Sequence, residues 1–318
     1  MASPTLVALA VLGPTASGKS ALGMALAQRL GGEIVSCDSQ QVYVGMDTGT
    51  AKPTPAERRA IPHHVLDVVR PDQHFDAARW AHLARAAIAD IAGRGRLPII
   101  VGGTGLYYRA LTGGLFNAPP PDPALRARHR EEAAQVGTEA LHARLRAADP
   151  EAAARISPRD LVRISRALEV LEQTGVPISV LRRRAAPRAD LAPVAVILDP
   201  PMAALRPRIE ARVAGMMADG FEDEVRALRA AGYGPSLAPM RSLGYKQLGA
   251  AVDGDCDVAR AVADTVAATV AYARRQRTWF RREAAAVRIT AASALEAADE
   301  IAALVAGERA GRGARAGG

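Results

Sequence analysis

The apolar run Leu6–Leu12 breaks directly into Gly13-Pro14-Thr15-Ala16-Ser17-Gly18-Lys19-Ser20, a junction that leaves the chain little architectural freedom. A strand ending at Leu12, a glycine-rich turn and a helix opening near Lys19 direct backbone N–H groups and a helix N-terminus at one anion. In this G-x-x-x-x-G-K-[ST] spacing Lys19 reaches the outer phosphates and the Ser20 hydroxyl is positioned for Mg2+. Leu22, Ala25, Leu26 and Leu30 carry the helix onward. The pattern predicts an α/β fold, a P-loop-type parallel sheet flanked by helices. It specifies a polyphosphate or pyrophosphate ligand and leaves the reaction open.

A second strand, Glu33–Cys37, exits into Asp38-Ser39-Gln40-Gln41 on the side of a parallel sheet where ligands sit. A carboxylate there serves equally well as a base or as a turn aspartate. Residues 45–73 read as a loop region over the site, and the His63-His64 pair reads as surface or packing. A core-facing helix is expected from about Asp76 to Arg94. The next strand, Leu97–Val101, runs into Gly102-Gly103-Thr104 without the acid that would hold Mg2+ in a hydrolase.

Residues 116–123 are proline-rich and read as a hinge into a helical insertion with no strand signal. Within it Arg159, Arg163 and Arg166 recur at i, i+4 and i+7 opposite an apolar stripe, a positive face suited to phosphates. Strand character returns at Pro193–Leu198, followed by Asp199, which could supply the missing acid. A helix over Leu205–Leu228 carries Arg208 and Arg212 one turn apart, and a last long helix runs over about Val258–Glu283. The expected division is a catalytic core of 1–115 and 193–306, a helical insertion of 116–192 and a disordered tail of 307–318. Forty-one Lys and Arg against 33 Asp and Glu leave a net charge of +8, which suits a polyanionic partner. Only Cys37 and Cys256 are present, no apolar run reaches membrane-spanning length, and a cytoplasmic protein is expected.

Together Gly13–Ser20, Asp38–Gln41, Gly102–Tyr107, Arg163–Glu169, Arg241–Lys246 and Arg275–Arg281 resemble the bacterial tRNA dimethylallyltransferases, also called tRNA isopentenyltransferases. The first strand-loop-helix alone would equally serve a small-molecule kinase; the ordered set of blocks carries the resemblance. It implies transfer of a dimethylallyl group from dimethylallyl diphosphate to the exocyclic N6 of adenosine 37 in tRNA, with Mg2+ as cofactor. It also implies that the insertion clamps the anticodon stem-loop. By position it makes Asp38 the general base, assisted by Lys19, Thr104 and Arg212, and it makes the whole loop Gly13 to Ser20 the diphosphate site. It assigns tRNA contacts to Asp38, Ser39, Gln40, Gln41, Thr104 and Arg126, and further to Val162, Arg163, Ile164, Ser165 and Arg166. The last group is Arg241, Ser242, Leu243, Gly244, Tyr245 and Lys246. Ser20 replaces the usual threonine, Met202 stands where many members carry arginine, and a monomer is expected.

Overall fold

Every residue of strand β1 (Leu6–Leu12) is apolar, as a strand covered on both faces requires. In the computed structural model, which describes residues 6–113, 119–184, 191–283, 287–290 and 298–316, β1 lies inside a six-stranded sheet. The other strands are β2 (Gly32–Cys37), β3 (His63–His64), β4 (Leu97–Gly102), β5 (Leu191–Leu198) and β6 (Val287–Ile289). They lie in the order β3-β2-β4-β1-β5-β6, and every pairing is parallel. The α/β fold expected from the sequence is the fold observed. Ala8, Ala10 and Leu12 face a core completed by Trp80, Ile88, Ile91 and Tyr107. Leu9 and Val11 face the opposite side, against Leu22, Leu26, Ile99 and Val101.

Register decides where the loops emerge. Leu12 and Cys37 both pair with Gly102, so the residues that follow, Gly13, Asp38 and Gly103, leave the sheet in one row. That row is narrow because a Cβ on Gly13 would lie 2.7 Å from the Leu198 carbonyl oxygen. Helix Lys19–Leu30 opens on Gly18 at φ 91° and packs so closely on β4 that a Cβ on Gly23 would meet Val101 Cγ2 at 2.6 Å. Helix Ala77–Gly93 is capped by the Asp76 carboxylate, which accepts from the Ala78 and Arg79 amides. It buries Trp80, stacked 4.9 Å from Tyr107.

Several elements differ from the sequence expectation. Residues 45–73 are not all loop, because helix Pro55–Ala60 and β3 lie within them, both too short to show a period. The helix expected over Leu205–Leu228 is two, Met202–Ala218 and Phe221–Ala230, divided where Gly220 turns the chain at φ 86°. The last long helix ends three residues early, as Val258–Phe280. Composition reads 307–318 as disordered, yet helix Ala298–Ala316 covers all but 317–318, which lie outside the described residues. Alanine and arginine are strong helix formers, and Ala298, Ile301 and Val305 anchor the first turns in the core. Among the described residues no helix is long and apolar enough to cross a membrane.

The chain divides into two compact units, Met1–Thr112 with Ala189–Gly318, and Gly113–Arg188. Residues 116–118 of the expected hinge lie outside the described residues. The second unit contains helices Pro123–Val136, Thr138–Ala148, Pro150–Arg155, Leu161–Thr174 and Ile178–Arg184. Leu141, Leu145, Ile164, Leu168 and Val170 form its apolar core. Glu169 is fully buried inside it and accepts hydrogen bonds from Arg166 at 2.7 Å, from Arg126 at 3.1 Å and from the Asp122 amide. His129 bridges Ser165 Oγ at 3.0 Å and Glu172 at 3.1 Å.

Candidate active site

The loop between β1 and helix Lys19–Leu30 is closed by hydrogen bonds to the Pro14 carbonyl from the Ser17 amide at 3.3 Å and from Lys19 Nζ at 3.2 Å. Ala16 is held at φ 61°, a left-handed conformation that costs a side chain ~1–2 kcal/mol. Among the described residues the buried Ser17 hydroxyl has no partner. Strain and an orphaned polar atom in one short loop fit a cradle completed by a ligand.

A cavity of about 500 Å³ opens over this loop, entirely within the first unit. Lys19, Ser20, Asp38 and Arg212 line it together with an apolar set that includes Ile209, Val213, Met216 and Phe221. A smaller cavity of about 240 Å³, lined by Ala16, Gly18, Arg208 and others, shares Lys19, Ser20 and Arg212 with the first. Burial, and then the nearby Arg212 guanidinium, pull the Lys19 ammonium down to about 8, with Asp38 acting in the opposite sense. Burial likewise lowers Arg212, again opposed by Asp38. Two cations against one carboxylate leave a local positive charge that an anion would neutralise.

Asp38 is at once a turn residue and a wall of the cavity. Its Oδ1 accepts from the Gln40 amide at 2.8 Å and the Gln41 amide at 3.4 Å, and among the described residues Oδ2 accepts nothing. Ser39 donates its amide to Thr104 Oγ1 at 3.1 Å. Thr104 itself is not in the cavity wall; it ties the exits of β2 and β4 together and starts helix Gly105–Thr112. Gln40 lines the cavity, and its buried Oε1 has no partner among the described residues. Gln41 Nε2 holds the Thr50 and Ala51 carbonyls at 3.3 and 3.2 Å.

Arg241, Ser242, Leu243, Gly244 and Tyr245 reach the cavity, and Lys246 does not. Tyr245 is nearly fully buried, and its hydroxyl donates to Glu224 at 2.6 Å. Glu224 also accepts from the Asp47, Thr48 and Gly49 amides at 2.9, 2.7 and 3.2 Å. Buried Lys52 secures the same loop by donating to the Tyr43 carbonyl at 2.8 Å and to Asp67 at 2.6 Å. Asp199 does not supply the missing acid: it is paired with Arg277 and lines neither cavity.

In the second unit the expected positive row shrinks. Arg159 precedes helix Leu161–Thr174, Arg163 sits 3.4 Å from Asp160, and Arg166 is bonded to Glu169 and to the Pro119 carbonyl. Arg126 also serves Glu169, while Ile164 and Ser165 turn into the core and Val162 is 81% exposed. His64 is bonded to Glu33 at 2.7 Å and serves packing, whereas His63, bonded to the Ile61 carbonyl at 2.7 Å, also lines the cavity.

Three residues of the site escaped the sequence reading: Gln276, Glu224 and Lys52. Gln276 stands inside the Arg275–Arg281 block, Glu224 falls near the end of the single helix expected over Leu205–Leu228 although it lies in the first turn of Phe221–Ala230, and Lys52 reads as one more residue of the loop region 45–73. None carries a spacing signal: Gln276 and Glu224 act on backbone atoms distant in sequence, and Lys52 joins the Tyr43 carbonyl to the Asp47 and Asp67 carboxylates at offsets that follow no regular period.

Two family models match the chain, one described as IPP transferase over residues 41–283 and one as isopentenyl transferase over residues 7–71. A tRNA dimethylallyltransferase of an Anaeromyxobacter species is 56% identical over 86% of this chain and 91% of its own length. The Halorhodospira halophila tRNA dimethylallyltransferase is 48% identical over 92% of this chain and 96% of its own. Among solved structures, a full-length tRNA isopentenylpyrophosphate transferase from Bacillus halodurans superposes with a TM-score of 0.72 at 34% identity, covering 99% of this chain and 100% of that one. A eukaryotic dimethylallyltransferase acting on tRNA gives a TM-score of 0.72 at 25% identity, over 92% of this chain and 75% of its own.

Proposed function

The chain belongs to the tRNA dimethylallyltransferase family, and from that premise we propose that it transfers a dimethylallyl group from dimethylallyl diphosphate to N6 of adenosine 37 in tRNA. The single observation that carries the chemistry is the shared cavity, whose wall Asp38 shares with Thr15, Lys19 and Ser20 of the phosphate loop and with Arg212. The bond from C1 of the prenyl group to its diphosphate oxygen breaks, the bond from N6 to C1 forms, and the N6 proton passes to Asp38 Oδ2. An adenine amine is a weak nucleophile, so the site must hold the leaving charge while it takes one proton. Lys19, Arg212 and the loop amides hold the diphosphate; the turn amides keep Oδ1 of Asp38 in place so that Oδ2 stays directed at the base. Extruding that base costs a few kcal/mol, which contacts between tRNA and the basic second unit would offset. The free Oε1 of Gln40 suits an amine donor on the extruded purine.

Mg2+ fits the residues present. Among the described residues no cluster of His, Cys, Asp or Glu could cage a metal, but Mg2+ is held by one or two protein oxygens plus phosphates and water. The exposed Ser20 hydroxyl at the helix N-terminus is such an oxygen. When bound, the ion neutralises charge on the departing diphosphate. The enzyme acts as a cytoplasmic monomer in this reading. The test is to incubate the protein with dimethylallyl diphosphate and unmodified tRNA and map added C5H8 mass to a nucleotide. Mass on any nucleotide other than adenosine 37, or none, would refute the assignment.

A further inference from the structure

One buried side chain joins the two loops of the cavity that carry the chemistry. Gln276, on helix Val258–Phe280, is only 6% exposed. Its Oε1 accepts from the Thr15 amide of the phosphate loop at 2.9 Å, and its Nε2 donates to the Gly103 carbonyl at 2.9 Å. The orientation is unambiguous, because an amide N–H can only donate and a carbonyl can only accept. Gly103 is part of the same device: a Cβ there would collide with Gln276 Nε2. The residue after Gly103, Thr104, receives the Ser39 amide next to Asp38. A continuous run of hydrogen bonds therefore connects the phosphate loop to the turn that carries the carboxylate.

We propose that Gln276 is a positioning residue that sets the shape of the phosphate loop, and its distance from Asp38, by bridging the Thr15 amide and the Gly103 carbonyl. The inference rests on the reading of Gly13–Ser20 as the diphosphate site. Because the Thr15 and Ser17 amides are already engaged, the anion is gripped by the other amides that follow Thr15 in the loop. No other uncharged side chain of this length offers an acceptor and a donor on one rigid plane. A carboxylate at 276 would face the Gly103 carbonyl with a second acceptor, and an aliphatic chain would leave both backbone groups unpaired.

The substitution Gln276→Glu tests this, with inorganic pyrophosphate as the probe in calorimetric titrations and unmodified tRNA as the control ligand. Near pH 8 the variant should bind pyrophosphate at least about tenfold more weakly than wild type, the size expected for a lost buried hydrogen bond. Its tRNA affinity should stay within about twofold, since the change is confined to the loop bridge. As pH falls through the carboxyl range, the protonated acid regains a donor toward Gly103 and keeps an acceptor for Thr15. The variant-to-wild-type ratio should then return toward one. Lys19, Asp38, Lys52, Glu57, His63, Arg212, Arg241, Tyr272 and Arg275 share the cavity wall in both proteins, and Gln276→Leu, which adds no ionisable group beside them, is the control for their part in the pH dependence. Gln276→Leu should be weak at every pH, and Gly103→Ala, which displaces the carboxamide from the other side, should reproduce the selective loss. Wild-type pyrophosphate affinity in Gln276→Glu and Gly103→Ala, or parallel loss of both ligands without acid recovery, would overturn the proposal. Prenyl transfer by the wild-type protein tests the function separately, so either idea can fail while the other stands.

Discussion

Asp38 uses its two oxygens differently, and that division predicts what substitution does. Asparagine keeps an oxygen for the Gln40 and Gln41 amides but cannot take a proton. Asp38→Asn should therefore slow prenyl transfer by ~10²–10⁴, while filter binding shows tRNA affinity unchanged. Rates within a few-fold of wild type would move the proton to another group. Lys19 gives a second test, through pH. Its proton is held only to about 8 in the free protein, and a bound polyanion favours the charged form. Above pH 8, pyrophosphate binding should be accompanied by proton uptake, read as a buffer-dependent calorimetric heat, and Lys19→Met should abolish it.

At the scale of elements, the helical unit is organised around a buried acid. Glu169 satisfies Arg126, Arg166 and the Asp122 amide, so Glu169→Ala leaves two cations uncompensated and should lower stability by about 3 kcal/mol in thermal melts. Arg163 lies outside that network and is well exposed. Arg163→Glu should weaken tRNA binding and flatten its salt dependence with little change in melting temperature. A large loss of stability in that variant would show that the geometry had been misread. The same elements show what sequence can and cannot convey. The strand-loop-helix at Leu6–Leu30 and the stripe of helix Ala77–Gly93 were legible because local spacing encodes them. Helix Pro55–Ala60 went unread although its capping box, Thr54 with Glu57 and Pro55 between, is written in the chain. Arg166 reads as part of a positive face because the Pro119 carbonyl that it holds lies 47 residues away, and Arg126, which shares its Glu169, lies 43 residues from that acid. Side chains that act on distant backbone, such as Glu224 and Gln276, leave no period to find.

For the whole molecule, acid stability should be governed in part by Glu33, which is not itself in the cavity wall. Hydrogen bonds from Arg94, and one from His64, hold its carboxyl at about 2 against the opposing effect of burial. The unfolded chain binds that proton near 4.5, so the contribution is fully present above pH 4.5 and is lost as pH falls toward 2. Glu33→Gln should cost ~1–3 kcal/mol at neutral pH, discounted for the solvent around half-exposed Arg94, and should flatten the acid limb of the unfolding curve. An unchanged acid limb would assign that limb to other carboxylates.

The discontinuity of the first unit also orders events on the ribosome. Strand β1 is made before the helical unit, yet β5, which pairs with it along its whole length, emerges only after that unit is complete. Throughout that interval a wholly apolar strand edge lacks its neighbour, the kind of surface that invites self-association. A nascent chain stalled before Leu191 is thus expected to depend on chaperones in a way that the finished enzyme does not.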